Sequence, residues 1–197
     1  MLEKIPEGVG RALRGVRAGF EKVVSESAFA TAPYAIILES PAFEDGGSIP
    51  TRYTEDGEKI SPPLSWRGAP GAAQSMVLVV EDPDAPTPEP LIHLLAWDLP
   101  PDLERLDEGT FRSPKHEGLD EVLGHNSFHK SAYLPPDPPT GHGPHLYVFQ
   151  IFALDRKLSF DRPPSRAAVV DAMKGHVLAK GLLTGSYERP AARPAFA

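Results

Sequence analysis

The chain has 197 residues, 41% of them apolar and 24% charged, which are ordinary proportions for a single globular domain with a substantial core. Its formal net charge of -7 argues against nucleic-acid binding, which needs a basic surface patch. The absence of cysteine excludes disulfides, thiolate metal ligands and a cysteine nucleophile, and a cytoplasmic location is expected.

Residues 1–33 are predicted to form an N-terminal amphipathic helix, over residues 8–27, and a hinge. Apolar residues recur there at alternating spacings of four and three, which defines one helical face. They are Val9, Leu13, Val16, Phe20 and Val23. This face is expected to dock on its own domain or on a second copy of the chain, giving a homodimer. The arginines of the segment leave a membrane-surface helix as the alternative.

The sequence gives no indication of a membrane-spanning segment. No apolar run approaches the ~20 residues that a spanning helix needs, so no integral membrane span is predicted. The N-terminal residues also lack a continuous apolar stretch followed by a small-residue cleavage site, and no signal peptide is predicted.

Beyond the hinge, the pattern predicts short strands separated by turns. Strands are expected over residues 34–38 and 49–53, with glycine-containing turn signals around the second. Residues 61–66 are expected to be extended, because the residue before a proline avoids helical geometry. The β-branched run at 76–80 and the apolar run at 91–97 predict buried strands.

The second half of the chain contains a long loop region and the strongest strand. Residues 102–145 have few strand signals, and a loop of this length inside a compact domain is usually functional or disordered. Residues 146–154 form the strongest predicted strand. Ser165 as an N-cap and Gly181 just past the end predict a helix over 165–180, followed by a final strand. Strands followed by one late helix indicate a mainly β, antiparallel architecture with peripheral helices.

Two polar side chains stand at the ends of predicted strands. Asp82 follows a buried strand, and Pro83 restricts the backbone after it, so its carboxylate has little freedom. Residues 82–86 also fit a proline-bounded turn in which aspartates bond local N–H groups. His93 lies in an otherwise apolar strand and must satisfy two ring nitrogens, which a purely structural histidine would also do.

A denser group of polar residues precedes the last long strand. Strand alternation places His145 and Tyr147 on one face, and Gly143 lets backbone N–H groups approach a ligand closely. Imidazoles, a hydroxyl and open amides make an anion receptor, and a carboxylate nearby would favour the charged imidazole. The proline cluster ending at Pro139 would form a stiff wall; the alternative is a rigid surface loop.

Together these segments resemble the signature segments of the phosphatidylethanolamine-binding proteins. The resemblance rests on residues 61–66, 82–86 and 141–149, which occur in the family's order. Residues 124–139 are similar to the bacterial branch, often described as Raf-kinase-inhibitor-like.

The resemblance implies a fold, a pocket and a class of ligand. The fold would be a β-sandwich with a large antiparallel central sheet and peripheral helices over residues 34–190, with 191–197 as a tail. The family's pocket takes phosphate, phosphoryl head groups and similar small anions, and eukaryotic relatives bind kinases, proteases or transcription partners. In this chain a solvent-reachable pocket at one end of the sheet would be built by Asp82, Pro86, His93, Pro139, Gly143, His145 and Tyr147.

The chain departs from the family pattern beside two of these residues. Leu91 and Ile92 precede His93 where the family often has an aromatic residue, which predicts a wider pocket that stacks less on a ligand. Leu146 lies between His145 and Tyr147 where the family commonly has arginine, which removes a basic contact for a protein partner.

The leading hypothesis is a binding module for a small anionic ligand that regulates a partner protein such as a kinase. The alternatives are an enzyme that uses Asp82, His93 and His145 as acid–base groups, and a pure interaction protein that docks through its N-terminal helix. No Gly-x-Ser-x-Gly elbow supports the enzyme. The same three residues match a two-His-one-carboxylate metal site in residue type only, so no metal or other cofactor is predicted.

The remaining histidines are expected to be solvated, with His142 at the pocket mouth. They are His116, His125, His129, His142 and His176.

Overall fold

The computed structural model describes residues 5–111 and 122–190, so the tail at 191–197 and His116 lie outside it. Within these residues the helices are α1 (Glu7–Leu13), α2 (Val24–Ser27) and α3 (Arg166–Met173). The strands are β1 (Ile37–Glu39), β2 (Gly47–Ser48), β3 (Leu64–Arg67), β4 (Ser75–Asp82), β5 (Leu91–Leu99), β6 (Arg105–Leu106), β7 (His145–Leu154) and β8 (Val177–Tyr187).

The strands form two sheets. The central sheet has the order β2-β8-β7-β4-β5, and the smaller sheet has the order β1-β3-β6. All central pairings are antiparallel except that of β2 with β8. The predicted fold, mainly β with a large antiparallel central sheet and peripheral helices, is confirmed. None of the helices in the described part of the chain has the length and apolar character that a membrane crossing requires.

The central strand β4 is buried along its whole length, because both faces of the sheet are covered. Leu78 and Val80 belong to the core between the two sheets, which also contains Trp66 of β3. Val77 belongs to a second core on the opposite face, together with Met173 of α3. A strand covered on both faces has a continuous apolar sequence instead of an alternating one, which explains the β-branched run.

Buried polar side chains fasten residues 24–30 to the second face of the sheet. Glu81 accepts hydrogen bonds from Val24 N at 2.7 Å, Gln150 Nε2 at 2.7 Å and Arg166 Nε at 2.7 Å. On β8, the fully buried Lys180 donates to the carbonyl oxygens of Ser25 and Phe29 at 2.9 and 3.0 Å. Buried charges are tolerated when they are paired and hydrogen-bonded in this way.

The predicted helix over residues 8–27 is wrong as a continuous element. α1 ends at Leu13, residues 14–19 are irregular, and a 3-10 turn (Phe20–Lys22) precedes α2. Two N–H groups that a continuous helix would use bond a distant loop instead: Ala18 N donates to Ala85 O at 3.0 Å and Gly19 N to Pro83 O at 2.9 Å. Gly19 also has φ of 111°, which is not helical. The apolar face predicted for this helix is therefore not a single buried surface.

Two other elements differ from prediction. The helix over 165–180 begins with the predicted Ser165 cap, whose Oγ accepts from Ala168 N. It stops at Met173 because Gly175, with φ of 77°, turns the chain. Gly181 instead lies inside β8. The strand at 49–53 is replaced by a 3-10 turn (Thr51–Tyr53), in which Tyr53 N donates to Pro50 O.

Replacing Glu81 with alanine tests the buried polar cluster. Glu81→Ala leaves the Val24 N–H, the Gln150 amide and the Arg166 guanidinium without their acceptor, so we expect a loss of about 2–4 kcal/mol in unfolding free energy. Glu89→Ala, the same change at an exposed position, should shift it by less than about 0.5 kcal/mol. Urea denaturation measures both, and equal effects would contradict a stabilising role for the cluster.

Candidate ligand-binding site

The polar residues predicted from the sequence meet at one end of the central sheet. Asp82 ends β4, and the register pairs the preceding residue, Glu81, with Val148 of β7. Because side chains alternate along a strand, Asp82, His145 and Tyr147 all project from the face that carries the core between the sheets. Glu81 projects from the opposite face, into the cluster that anchors α2.

A β-bulge brings His93 to the same face. Val80 pairs with Leu94 and the next residue, Glu81, pairs with Ile92, so His93 is the extra residue on β5. A bulge re-aims a side chain in this way. The His93 ring packs edge-on against the Tyr147 ring, with centroids 5.1 Å apart, and its Nδ1 donates to Leu134 O at 2.7 Å.

Two polar atoms at this contact have no partner. His93 Nε2 and Tyr147 Oη are buried and form no hydrogen bond with any residue that the structure describes. Burial lowers the pKa of His93, although the charge of Asp82 opposes the shift. Burial, followed by the charge of Asp82, raises the pKa of Tyr147 well above its ordinary value. Both side chains are therefore held neutral near pH 7.

A chain of hydrogen bonds links Asp82 to two histidines and then to the N-terminal segment. Asp82 Oδ2 lies 2.7 Å from His145 Nδ1, and His145 Nε2 lies 2.7 Å from His142 Nδ1. His142 Nε2 lies 2.8 Å from Leu13 O. The other carboxylate oxygen of Asp82 accepts from Asp84 N at 2.8 Å, which fixes its orientation.

These distances require one more proton than neutral imidazoles supply. Leu13 O and the Asp82 carboxylate only accept, so each of the three hydrogen bonds needs its own proton, while two neutral imidazoles carry two. Burial, followed by the charge of His145, lowers the pKa of His142. We therefore expect the additional proton on His145, next to the aspartate, where it would give a buried imidazolium–carboxylate pair.

The remaining predicted residues lie in the loops around this centre. Pro139 is buried, and its carbonyl accepts from His142 N at 3.1 Å. Gly143 has φ of 103°, a conformation that favours glycine. It lies two residues before His145, the first residue of β7. Pro86 is half-buried at the end of the Asp82 loop.

Several residues of the site were not predicted as part of it. His142, expected to be solvated at the pocket mouth, is fully buried in the hydrogen-bond chain; its place between two glycines is the signal that could have indicated this. Asp84 accepts from Leu146 N at 2.7 Å and ties the two loops together. Arg189 pairs with Asp56 and Asp137 beneath the proline loop, and no local sequence pattern points to it.

The other described histidines differ in exposure, although all were expected to be solvated. His129 is exposed, whereas His125 and His176 are half-buried. His176 Nδ1 also lies 2.8 Å from Asp155 Oδ1.

The site is closed in this structure. The exposed fractions of Asp82, His93, His145 and Tyr147 are 2%, 2%, 0% and 1%. The solvent-reachable pocket expected from the sequence is therefore covered, and the N-terminal segment lies against it through the hydrogen bond of Leu13 O with His142. Within residues 5–111 and 122–190, no group of three or more His, Asp or Glu side chains is arranged to hold a metal ion.

The chain belongs to the phosphatidylethanolamine-binding protein family, whose model matches residues 39–188, and the predicted family is confirmed. A UPF0098 protein of Methanothermobacter thermautotrophicus is 43% identical over 154 residues, which are 77% of this chain and 98% of that protein. Among solved structures, a phosphatidylethanolamine-binding protein homologue of Chlamydia trachomatis is 36% identical with a TM-score of 0.71, and covers 79% of this chain and 99% of its own.

The structure of Escherichia coli YbcL is also similar, with a TM-score of 0.73 and 27% identity over 79% of this chain and 99% of YbcL. The chain is therefore a member of the bacterial branch of the family that includes YbcL.

The lowered pKa of His93 predicts a pH dependence of stability. In the unfolded chain this histidine has its ordinary pKa of about 6.5. The folded state holds it neutral to lower pH, so the unfolded state binds more protons and stability falls as pH falls through about 6.5. His93→Asn keeps a donor for Leu134 O and removes the titration, so its stability should fall less steeply on acidification.

Chemical denaturation between pH 7.5 and pH 5 measures this difference, which is limited to about 1.4 kcal/mol per pH unit for one proton. Tyr147→Phe is the matched control, because it alters the same contact without removing a group that titrates in this range. The same pH slope in His93→Asn and in the unsubstituted chain would refute a buried neutral His93.

Proposed function

We propose that this protein binds a small anionic, phosphate-bearing ligand at the end of its central sheet, between Asp82, His93, His145 and Tyr147. The main observation in support is that two buried atoms, His93 Nε2 and Tyr147 Oη, have no hydrogen-bond partner among the described residues. A buried polar atom without a hydrogen bond costs about 1–3 kcal/mol. Such a cost at two adjacent atoms is understandable if a ligand satisfies both.

The chemistry of these two atoms suits an anion whose binding is accompanied by uptake of a proton by the protein. Tyr147 Oη can donate to a phosphate oxygen. His93 donates through Nδ1 to Leu134 O, so in its neutral form Nε2 is an acceptor. Next to an anion the imidazole gains a proton and becomes a second donor, because a negative charge favours the cationic form. An imidazolium at His145 would add positive charge to the site, although the chain as a whole is acidic.

Membership in the family supports the same class of ligand. The family is named for phosphatidylethanolamine, whose head group carries a phosphate and an ammonium. The phosphate would meet His93 and Tyr147. Regulation of a partner protein such as a kinase, and a homodimer formed through the N-terminal segment, stay predictions from the sequence.

The hydrogen-bond chain also resembles an acid–base arrangement, which bears on the enzyme alternative. An aspartate that orients a histidine is a common feature of catalytic sites. The side-chain hydrogen bonds of the two histidine rings go to each other, to Asp82 and to the backbone of Leu13. Among the described residues, none of the hydrogen bonds of these rings goes to a hydroxyl group that could act as a nucleophile, so binding is the better-supported function.

Calorimetric titration with inorganic phosphate tests the proposal. We expect binding by the unsubstituted chain, and about tenfold or greater weakening in Tyr147→Phe and His93→Asn, because each loses a hydrogen bond to a charged group. His129→Asn, at an exposed position, is the matched control and should bind normally. Absence of binding by the unsubstituted chain would overturn the proposal.

The same titration also measures the proton uptake that accompanies phosphate binding. Repeating it near pH 7.5 in two buffers of different ionisation enthalpy should reveal proton uptake by the unsubstituted chain that is smaller in His93→Asn. Equal uptake in both proteins would exclude His93 as the group that becomes charged.

A further inference from the structure

We propose that residues 10–19, here called the strap, close the ligand site from within the chain and must move aside before a ligand can enter. This proposal rests on the proposed function of the site. The strap begins in the last residues of α1 and runs through the irregular segment that follows, across the two loops that carry His145 and Asp82.

The strap is hydrogen-bonded to the loop that carries the histidines. Leu13 O accepts from His142 Nε2 at 2.8 Å, so the strap itself completes the buried hydrogen-bond chain. Arg17 Nη1 donates to Pro144 O at 3.2 Å. Gly10 packs so closely that a Cβ there would lie 2.1 Å from Thr140 O. The strap is therefore packed backbone to backbone against this loop at Gly10.

The strap also binds the loop that carries the aspartates. Arg17 Nη1 forms an ion pair with Asp84 Oδ1 at 2.6 Å. The backbone N–H groups of Ala18 and Gly19 donate to Ala85 O at 3.0 Å and Pro83 O at 2.9 Å. Arg17 therefore joins both loops, and its removal weakens the strap without touching His93 or Tyr147.

The strap can leave without unfolding the domain. It contacts the loops through a few hydrogen bonds and one partly exposed ion pair, and its outer side chain Val16 is 47% exposed. The segment that follows is held separately, because Glu81 and Lys180 fix residues 24–30 to the sheet. Gly19, the last residue of the strap, has φ of 111° and is a suitable hinge between the strap and this anchor.

The family comparison separates the strap from the binding domain. The family model begins to match at residue 39, well after the strap. The Methanothermobacter thermautotrophicus relative is matched over 98% of its own length by 77% of this chain. The cover over the site is thus an addition to the part of the chain that is shared with these relatives.

Arg17 could instead bind the ligand directly. The two roles predict opposite effects of Arg17→Ala on the affinity for phosphate. If Arg17 clamps the strap, Arg17→Ala raises the fraction of open protein, and the apparent phosphate affinity rises in proportion to that fraction. If Arg17 holds the anion, the same substitution lowers the affinity. Calorimetric titration of the full-length chain with inorganic phosphate separates these outcomes.

We expect Arg17→Ala to bind phosphate about three- to tenfold more tightly than the unsubstituted chain. Arg11→Ala is the matched control: it removes the same charge from the same segment, but Arg11 pairs with Glu7 within α1, so its affinity should stay within about twofold. Unchanged or weaker binding by Arg17→Ala overturns the strap and leaves the ligand site standing. Absence of binding in all three proteins overturns the site and the strap together.

Hydrogen exchange of the unsubstituted chain supplies an independent readout. Saturating phosphate should accelerate exchange of the Ala18 and Gly19 amides, which the closed strap protects, and leave the amide of Val148 in the sheet unchanged. Slower exchange at Ala18 and Gly19 would show that the ligand binds beneath a closed strap, and would refute the proposal.

Discussion

The hydrogen bond between Asp82 and His145 is the interaction on which the rest of the site depends. It joins the end of β4 to the start of β7 at 2.7 Å, with both side chains almost fully buried. A buried charge is tolerated only when it is paired and hydrogen-bonded. The pair is extended by two further hydrogen bonds, from His145 to His142 and from His142 to Leu13 O. The closure of the site and the protonation of its histidines are consequently linked.

The two faces of the central sheet have different roles. On the face toward the smaller sheet, apolar packing continues to Val80 and then gives way to Asp82, where the strands end. On the opposite face, Glu81, Gln150 and Lys180 hold α2 against the sheet. Adjacent residues Glu81 and Asp82 thus anchor the N-terminal region and build the ligand site, respectively. The sheet can remain rigid while the segment between the anchor and the site changes position.

Much of the sheet could be predicted because its signals are local. β-branched and apolar runs predict β4, β5 and β7, and strand alternation places His145 and Tyr147 on one face. The long helix at the N-terminus could not be corrected from sequence, because the carbonyl groups of Pro83 and Ala85, some 65 residues away, compete for its N–H groups. Local periodicity carries no information about such partners.

The sequence predicts most of the residues of the site but not that the site is closed. The bulge that turns His93 toward Tyr147 depends on strand register, and the contribution of Arg189 depends on a pairing with Asp56, 133 residues earlier in the chain. The burial of His142 depends on Leu13, which the sequence suggested only as part of a helical face. These long-range contacts close a pocket that the signature segments alone describe as open.

The central claim is that the closed site contains one imidazolium, at His145, between a carboxylate and a neutral His142. Nitrogen-15 NMR of the histidine-labelled protein near neutral pH tests this directly, because the ring nitrogen shifts distinguish imidazolium from each neutral tautomer. The account predicts that both ring nitrogens of His145 are protonated and that His142 carries its proton on Nε2. Two neutral imidazoles would contradict it, because one of the three hydrogen bonds would then lack a proton.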